Sequence, residues 1–168
     1  IVCNNENIDS IRANIDKEIA VDYVIQGEQL GTADALKVAI KNTSFKNISN
    51  LFVFLGDTPL ITHSDITYLS ESLKSNDILI ASFETANPTG YGRIIRDNEG
   101  RVCNIIEEGD ATTEEKSIKT CFSGIIIFNN ISILSLLDNI KNDNSKKEFY
   151  LTDVIKIADN DNLNVIDV

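Results

Sequence analysis

Methionine and tryptophan are absent from the 168 residues, proline occurs twice, histidine once and cysteine three times. Each shortage excludes something. The lone His63 sits in Thr62-His63-Ser64-Asp65 with no nucleophile-elbow Ser or Cys, so a catalytic triad has no support, and it reads as a surface or helix-capping residue. Cys3, Cys103 and Cys121 are odd in number and far apart. They match neither zinc spacing nor a disulfide framework, and read as free thiols buried in a reducing cytoplasm. No stretch resembles a signal peptide or a membrane span, and neither a P-loop nor Gly-x-Gly-x-x-Gly is present. Positive charge is scarce: 15 Lys and Arg against 26 Asp and Glu, a formal net charge of −11. That excludes nucleic acid as a partner, since phosphate backbones need clustered cations. A small anionic substrate stays open, because a few backbone N–H groups or a metal can hold it. With no Met and a start at Ile-Val-Cys-Asn inside a strand-like run, the chain reads as a fragment, a processed chain or an incompletely predicted gene.

What is present is a globular composition, 42% hydrophobic, long enough for one domain with a real core. Strand-like runs at residues 1–3, 21–25, 51–55, 78–83 and 123–128 are rich in Ile, Val and Phe, and several are continuous. Continuous runs suit a parallel sheet covered on both faces. Between them Ile8, Ile11 and Ile15 recur at helical spacing, as do Ile66, Leu69 and Leu73 behind a capping-box start at Thr62 and Asp65. Ile133, Leu134, Leu137 and Ile140 make a third apolar face, and Leu151, Val154, Ile155 and Ala158 a fourth. This alternation predicts an open α/β sheet. One region departs from it: residues 93–96 and 101–107 flank Asp97-Asn98-Glu99-Gly100 and read as a β-hairpin. No linker, repeat or low-complexity tract is visible, so a single domain is expected.

The residues that could carry chemistry lie at the ends of these runs. Gln26-Gly27-Glu28-Gln29-Leu30-Gly31-Thr32-Ala33 follows one strand-like run and opens a helix-like one. A glycine and a hydroxyl at such a turn leave backbone N–H groups free for a ligand, and a Gln amide can read one; a nucleotide-base pocket fits. Leu51-Phe52-Val53-Phe54-Leu55-Gly56-Asp57 is a buried strand ending in Gly-Asp. Ligands of open α/β sheets sit at strand carboxyl ends, where an Asp can hold Mg²⁺ together with substrate phosphates; a turn or helix N-cap is the plainer role. Pro88-Thr89-Gly90-Tyr91-Gly92-Arg93 allows close backbone approach, yet such loops are often only turns. Glu107 and Glu108 end the second hairpin strand, where a solvated face is the simpler reading.

Taken in order, residues 26–33, Leu55-Gly56-Asp57-Thr58-Pro59-Leu60, residues 88–93, Ile105-Ile106-Glu107 with Asp110-Ala111-Thr112, Ser123-Gly124 and Glu148-Phe149-Tyr150-Leu151-Thr152-Asp153 resemble the pyrophosphorylase domain of bacterial bifunctional N-acetylglucosamine-1-phosphate uridylyltransferases. The resemblance covers nearly the whole chain. It implies a Rossmann-like nucleotidyltransferase fold of the GT-A type: a mixed, mostly parallel sheet, helices on both faces and an inserted hairpin. It also implies a reaction of cell-envelope precursor synthesis, UTP plus N-acetylglucosamine 1-phosphate giving UDP-N-acetylglucosamine and pyrophosphate, with Mg²⁺ as cofactor. Gln26, Gly31 and Thr32 match uracil-reading positions, and Asp57 matches a metal ligand. Leu55 and Gly56 line the same pocket, Gly92 matches a backbone contact to the sugar, Glu107 a carboxylate accepting from sugar hydroxyls, and Thr152 a position near the sugar phosphate. No side chain is implied as a covalent or acid–base catalyst. A cytoplasmic parent, homotrimeric through a C-terminal domain, is implied as well.

Two departures qualify the match. Phe122-Ser123-Gly124 stands where the family usually has Asn-Thr-Gly or Asn-Ser-Gly, and the Asn contacts the sugar. Phe122 cannot hydrogen-bond, so a different sugar 1-phosphate, or a non-catalytic sugar-nucleotide-binding paralogue, is the alternative. The family's Gly-rich triphosphate loop and its second metal ligand, an Asn, have no counterpart in these residues. The expectations are therefore a missing first strand, no direct pairing between the strands at 1–3 and 51–55, and little or no turnover by the 168 residues alone.

Overall fold

The computed structural model describes residues 1–42 and 48–168. The chain forms two compact units, Ile1–Lys46 with Ile140–Leu151, and Asn47–Asn139 with Thr152–Val168.

In the first unit β1 (Val2–Cys3) pairs in parallel with β2 (Val24–Ile25), Val2 opposite Val24 and Cys3 opposite Ile25. Between them lies α1 (Ile8–Asn14), and α2 (Thr32–Asn42) follows β2. Ile8 of α1 and Ala33 and Leu36 of α2 are buried, which accounts for the helical spacing of those apolar positions.

The second unit is built on a six-stranded sheet of β3 (Leu51–Phe54), β4 (Ile78–Glu84), β5 (Arg93–Arg96), β6 (Val102–Ile106), β7 (Thr120–Phe128) and β8 (Val165–Asp167). Its order is β6-β5-β7-β4-β8, with β3 also paired to β7. β3's partner is thus β7 and β1's is β2. The sheet is not mostly parallel. β7 runs antiparallel to β3, β4 and β5, and β5 antiparallel to β6; within this sheet only β4 and β8 pair in parallel. A continuous apolar run reports burial on both faces, not strand direction. β7 has that burial: Ile126, Ile127 and Phe128, which alternate between its faces, are all buried.

Helices cover both faces. Leu69 and Leu73 of α3 (His63–Leu73) pack on Leu79, Ile125 and Ile127. The opposite side chains, Ile78, Ile80, Ile126 and Phe128, are equally buried, where α4 (Asp153–Asn160) and the 3₁₀ segment Ile131–Asn139 pack against each other and the sheet. That segment was expected to be α-helical. Its apolar spacing suits a buried face in either winding, so periodicity does not separate the two. The capping box of α3 is present: Thr62 accepts from Asp65 N, and the Asp65 carboxylate accepts from Thr62 N at 2.8 Å. His63 is exposed at the start of this helix. The hairpin forms as read, Ile94 opposite Ile105. β8 is too short and too polar a run, Val-Ile-Asp, to stand out in the sequence.

Truncating Ile126→Ala, at 1% exposure on a strand paired along both edges, is expected to cost about 2–5 kcal/mol. Leu60→Ala, at 89% exposure, is expected to change stability by no more than about 0.5 kcal/mol. Urea unfolding of the two variants measures the contrast.

Candidate functional site

In the first unit the turn from β2 into α2 surrounds a cavity of about 340 Å³ lined by Gln26, Gln29, Gly31 and Thr32, with Cys3 and Glu148 among the other walls. Gly31 has φ +117°, and a Cβ there would lie 2.5 Å from the Phe149 carbonyl oxygen and 2.7 Å from its nitrogen. Only glycine meets both conditions. The clasp itself is backbone: Phe149 N donates to Leu30 O (2.7 Å), and Ala33 N donates to Phe149 O (2.9 Å). The Thr32 hydroxyl accepts from Leu151 N at 2.9 Å, which leaves its own proton to donate. Gln26 is 9% exposed. Its Nε2 donates to Asp34 Oδ2 (2.7 Å) and to Gly31 O (3.2 Å), and its backbone N–H donates to Cys3 O (2.8 Å). The sequence-predicted trio is therefore together on one cavity. Asp34, which pins the Gln26 amide, and Phe149, which forces the glycine, were not singled out. An acidic residue in the first turn of a helix was the only cue to Asp34.

In the second unit β3 delivers Leu55, Gly56 and Asp57 at its carboxyl end, with Leu55 N donating to Gly124 O (3.0 Å). The chain then turns sharply, Thr58 donating to Leu55 O through both N (3.3 Å) and Oγ1 (2.7 Å). Gly56 and Asp57 are exposed. No side chain or backbone group hydrogen-bonds to the Asp57 carboxylate among the described residues, which projects beside an apolar cavity of about 790 Å³. No group of three His, Cys, Asp or Glu residues placed to hold a metal occurs among the described residues. A caged ion is therefore not what this donor set suits. Mg²⁺ bound through one carboxylate, keeping waters and substrate phosphates for its other positions, does fit it.

The hairpin and β7 assemble a second cluster. Glu107 Oε1 accepts from the buried Thr152 hydroxyl at 2.9 Å. Its Oε2 lies 3.7 Å from where a Gly92 Cβ would stand, a position also crowded by Ile105 Cγ2 at 3.0 Å and Phe122 Cβ at 3.7 Å. Phe122 N donates to Gly92 O (2.9 Å). Glu107, Gly92 and Thr152 are thus brought together, with the Phe122 Cβ beside Gly92. Two residues on along β7, Gly124 holds Leu55.

Glu107 and Glu108 are not a shared solvated face. Glu108 accepts from Arg93 Nη2 at 2.5 Å and from Gly90 N at 3.4 Å, while Arg93, 1% exposed, also donates to Tyr91 O. The Tyr91 ring meets Phe83 edge-on at 4.9 Å. Glu108 and Arg93 therefore brace the loop that carries Gly92. The Arg93 hydrogen bond, reinforced by Gly90 N–H and opposed by burial, holds the Glu108 carboxyl below the usual range.

Fold and clusters define a class. The nucleotidyl transferase family model matches residues 1–167, and the chain belongs to that family. It is similar to proteins named bifunctional protein GlmU. With that of Bartonella bacilliformis it is 41% identical over 141 residues, 83% of this chain and 31% of the relative. With that of Staphylococcus carnosus it is 44% identical over 137 residues, 80% and 30%. With that of Buchnera aphidicola subsp. Schizaphis graminum it is 41% identical over 162 residues, 96% and 34%. The chain spans about a third of the length of these curated relatives. No helix among the described residues is long and apolar enough to cross a membrane.

The lowered Glu108 value fixes the sign of a pH effect. A carboxyl whose folded value lies below its unfolded one adds stability above the unfolded value, about 4.3 for Glu, and loses it as pH falls through the folded value. Glu108→Gln is expected to be less stable than the parent chain at pH 7, with the difference shrinking as pH falls below the unfolded value and through the folded one. Thermal unfolding across that range measures the difference.

Proposed function

We propose that the chain is the nucleotidyltransferase part of an enzyme that makes UDP-N-acetylglucosamine from UTP and N-acetylglucosamine 1-phosphate. The observation carrying the sugar half is Glu107: one carboxylate oxygen accepts from the Thr152 hydroxyl, and the other, on the Gly92 side, has no hydrogen bond among the described residues. That is what a carboxylate accepting from sugar hydroxyls needs. The uridine half is supported by Gln26, Gly31 and Thr32 on one cavity. In this reading both units belong to one nucleotidyltransferase domain of a cytoplasmic parent protein.

The chemistry asks for little covalent work. An oxygen of the sugar phosphate forms a bond to the α-phosphorus of UTP as the α–β phosphoanhydride bond breaks, and pyrophosphate leaves with that electron pair. The Asp57 carboxylate would hold Mg²⁺ together with substrate phosphates, and the ion would supply charge neutralisation there. The chain's own residues position: Gln26 and the Thr32 hydroxyl hold the base end, Glu107 orients the sugar, and the buried Thr152 hydroxyl fixes the Glu107 rotamer. Leu55 and Gly56 offer backbone and an open flank, since nothing lies within 4 Å of a Cβ at Gly56.

Phe122 favours a second reading. Its Cβ lies beside Gly92, and its side chain has no group to hydrogen-bond a sugar. A buried polar partner lost there costs about 1–3 kcal/mol, enough to turn the site to another sugar 1-phosphate or to binding without turnover.

Pyrophosphate release by the full gene product, with UTP and a panel of sugar 1-phosphates, tests the proposal. N-acetylglucosamine 1-phosphate is expected to be turned over, Asp57→Ala to lower kcat by about 100-fold or more, and Glu107→Gln to raise KM for the sugar phosphate about tenfold with little change for UTP. Binding of UDP-N-acetylglucosamine with no pyrophosphate from any sugar phosphate would leave the paralogue reading.

A further inference from the structure

We infer that Asp34 sets the base specificity of the first unit's cavity by locking the Gln26 amide, so that Gln26 offers the base a hydrogen-bond acceptor and no donor. This rests on the uridine reading above. Asp34 is then a positioning residue, acting through Gln26.

Both hydrogens of the Gln26 amide are engaged, one at 2.7 Å by Asp34 Oδ2 and one at 3.2 Å by Gly31 O. Both partners, a carboxylate and a carbonyl, accept only. Turning the amide over would set Oε1 against two oxygens, so chemistry fixes its orientation. Asp34 lies in the first turn of α2, where the helix end favours a negative charge. Gln26 lines the cavity, and no donor reaches its Oε1 among the described residues. Oε1 is thus the one open function the side chain has. Uracil presents an N3–H donor; cytosine presents a bare N3 acceptor at the same place. An amide locked this way accepts from the first and repels the second. Gly31 O is a half-lock, since it leaves one amide hydrogen unassigned; Asp34 completes it. An Asn at position 34 can donate as well as accept, and so supports either orientation of Gln26.

Calorimetric titration of the full chain with UTP, CTP and N3-methyl-UTP, each with Mg²⁺, tests this for the parent, Asp34→Asn and Asp34→Ala. The parent is expected to bind UTP at least about tenfold more tightly than CTP or N3-methyl-UTP, and the UTP-to-CTP ratio to fall about tenfold in both variants. A parent that binds no uridine nucleotide overturns the uridine reading and this inference with it. A parent that prefers UTP, with variants that keep its ratio or lose affinity uniformly for all three nucleotides, overturns the role of Asp34 and leaves the uridine reading standing. Equal binding of UTP and N3-methyl-UTP by the parent overturns the N3–H contact itself.

Discussion

Strand β7 is clamped on both edges along Ile125–Phe128, Phe54 facing Ile125 on one side and Ile80 facing Ile126 on the other. With both ladders made and both faces buried, its register is fixed, because a slip of one residue would exchange the faces of every side chain. Beyond that stretch the pairing with β4 shifts: Ile80 faces Ile126 but Ser82 faces Phe122, so three residues of β7 oppose one of β4. The Ser123 hydroxyl closes the irregularity by donating to Ala81 O at 2.8 Å. Bulges of this kind re-aim a strand beside functional sites. Here it sets Gly124 against Leu55 and Phe122 against Gly92. The position of Asp57 after β3, and of Glu107 at the end of β6, both follow from a strand that itself carries none of the candidate polar groups.

The chemistry of the second unit turns on which oxygens are used and which are left. Glu108 gives one oxygen, Oε2, to both Arg93 and Gly90 N, and this ion pair with a buried guanidinium makes it part of the loop's architecture. Glu107, its neighbour, spends one oxygen on Thr152 and keeps one. Asp57 keeps both. The same division appears in the first unit, where the Gln26 amide nitrogen is committed and its oxygen is open. Burial weights these roles: the buried Arg93 guanidinium draws Glu108 and Tyr91 O as acceptors, whereas a carboxylate at a strand end can stay available to a ligand.

Much of this was legible in the chain. The capping box at Thr62 and Asp65, the hairpin around Asp97 to Gly100 and the α4 face of Val154, Ile155 and Ala158 follow from local rules of spacing and side-chain hydrogen bonding. The clustering of Gln26 with Gly31 and Thr32 was also readable, since all lie within one strand-to-helix turn. Strand direction was not, because the apolar content of β7 is the same whichever way it runs. Nor were partners distant in sequence: Phe149 against Gly31, Thr152 against Glu107, and Arg93 as the reason Glu108 is not free. The winding of Ile131–Asn139 escaped for a local reason, the near equality of three- and four-residue spacings over two turns.

We propose that Gln26, Gly31 and Thr32 receive a uridine nucleotide and that Gly92 and Glu107 receive a sugar. Backbone amide shifts of the ¹⁵N-labelled chain, followed while UDP-N-acetylglucosamine and Mg²⁺ are added, test it most directly. The prediction is saturable shifts at those five residues and at Thr152, with UMP alone moving only the first three and their neighbours. Saturable shifts confined to other parts of the chain, or none at these residues at millimolar ligand, would contradict it.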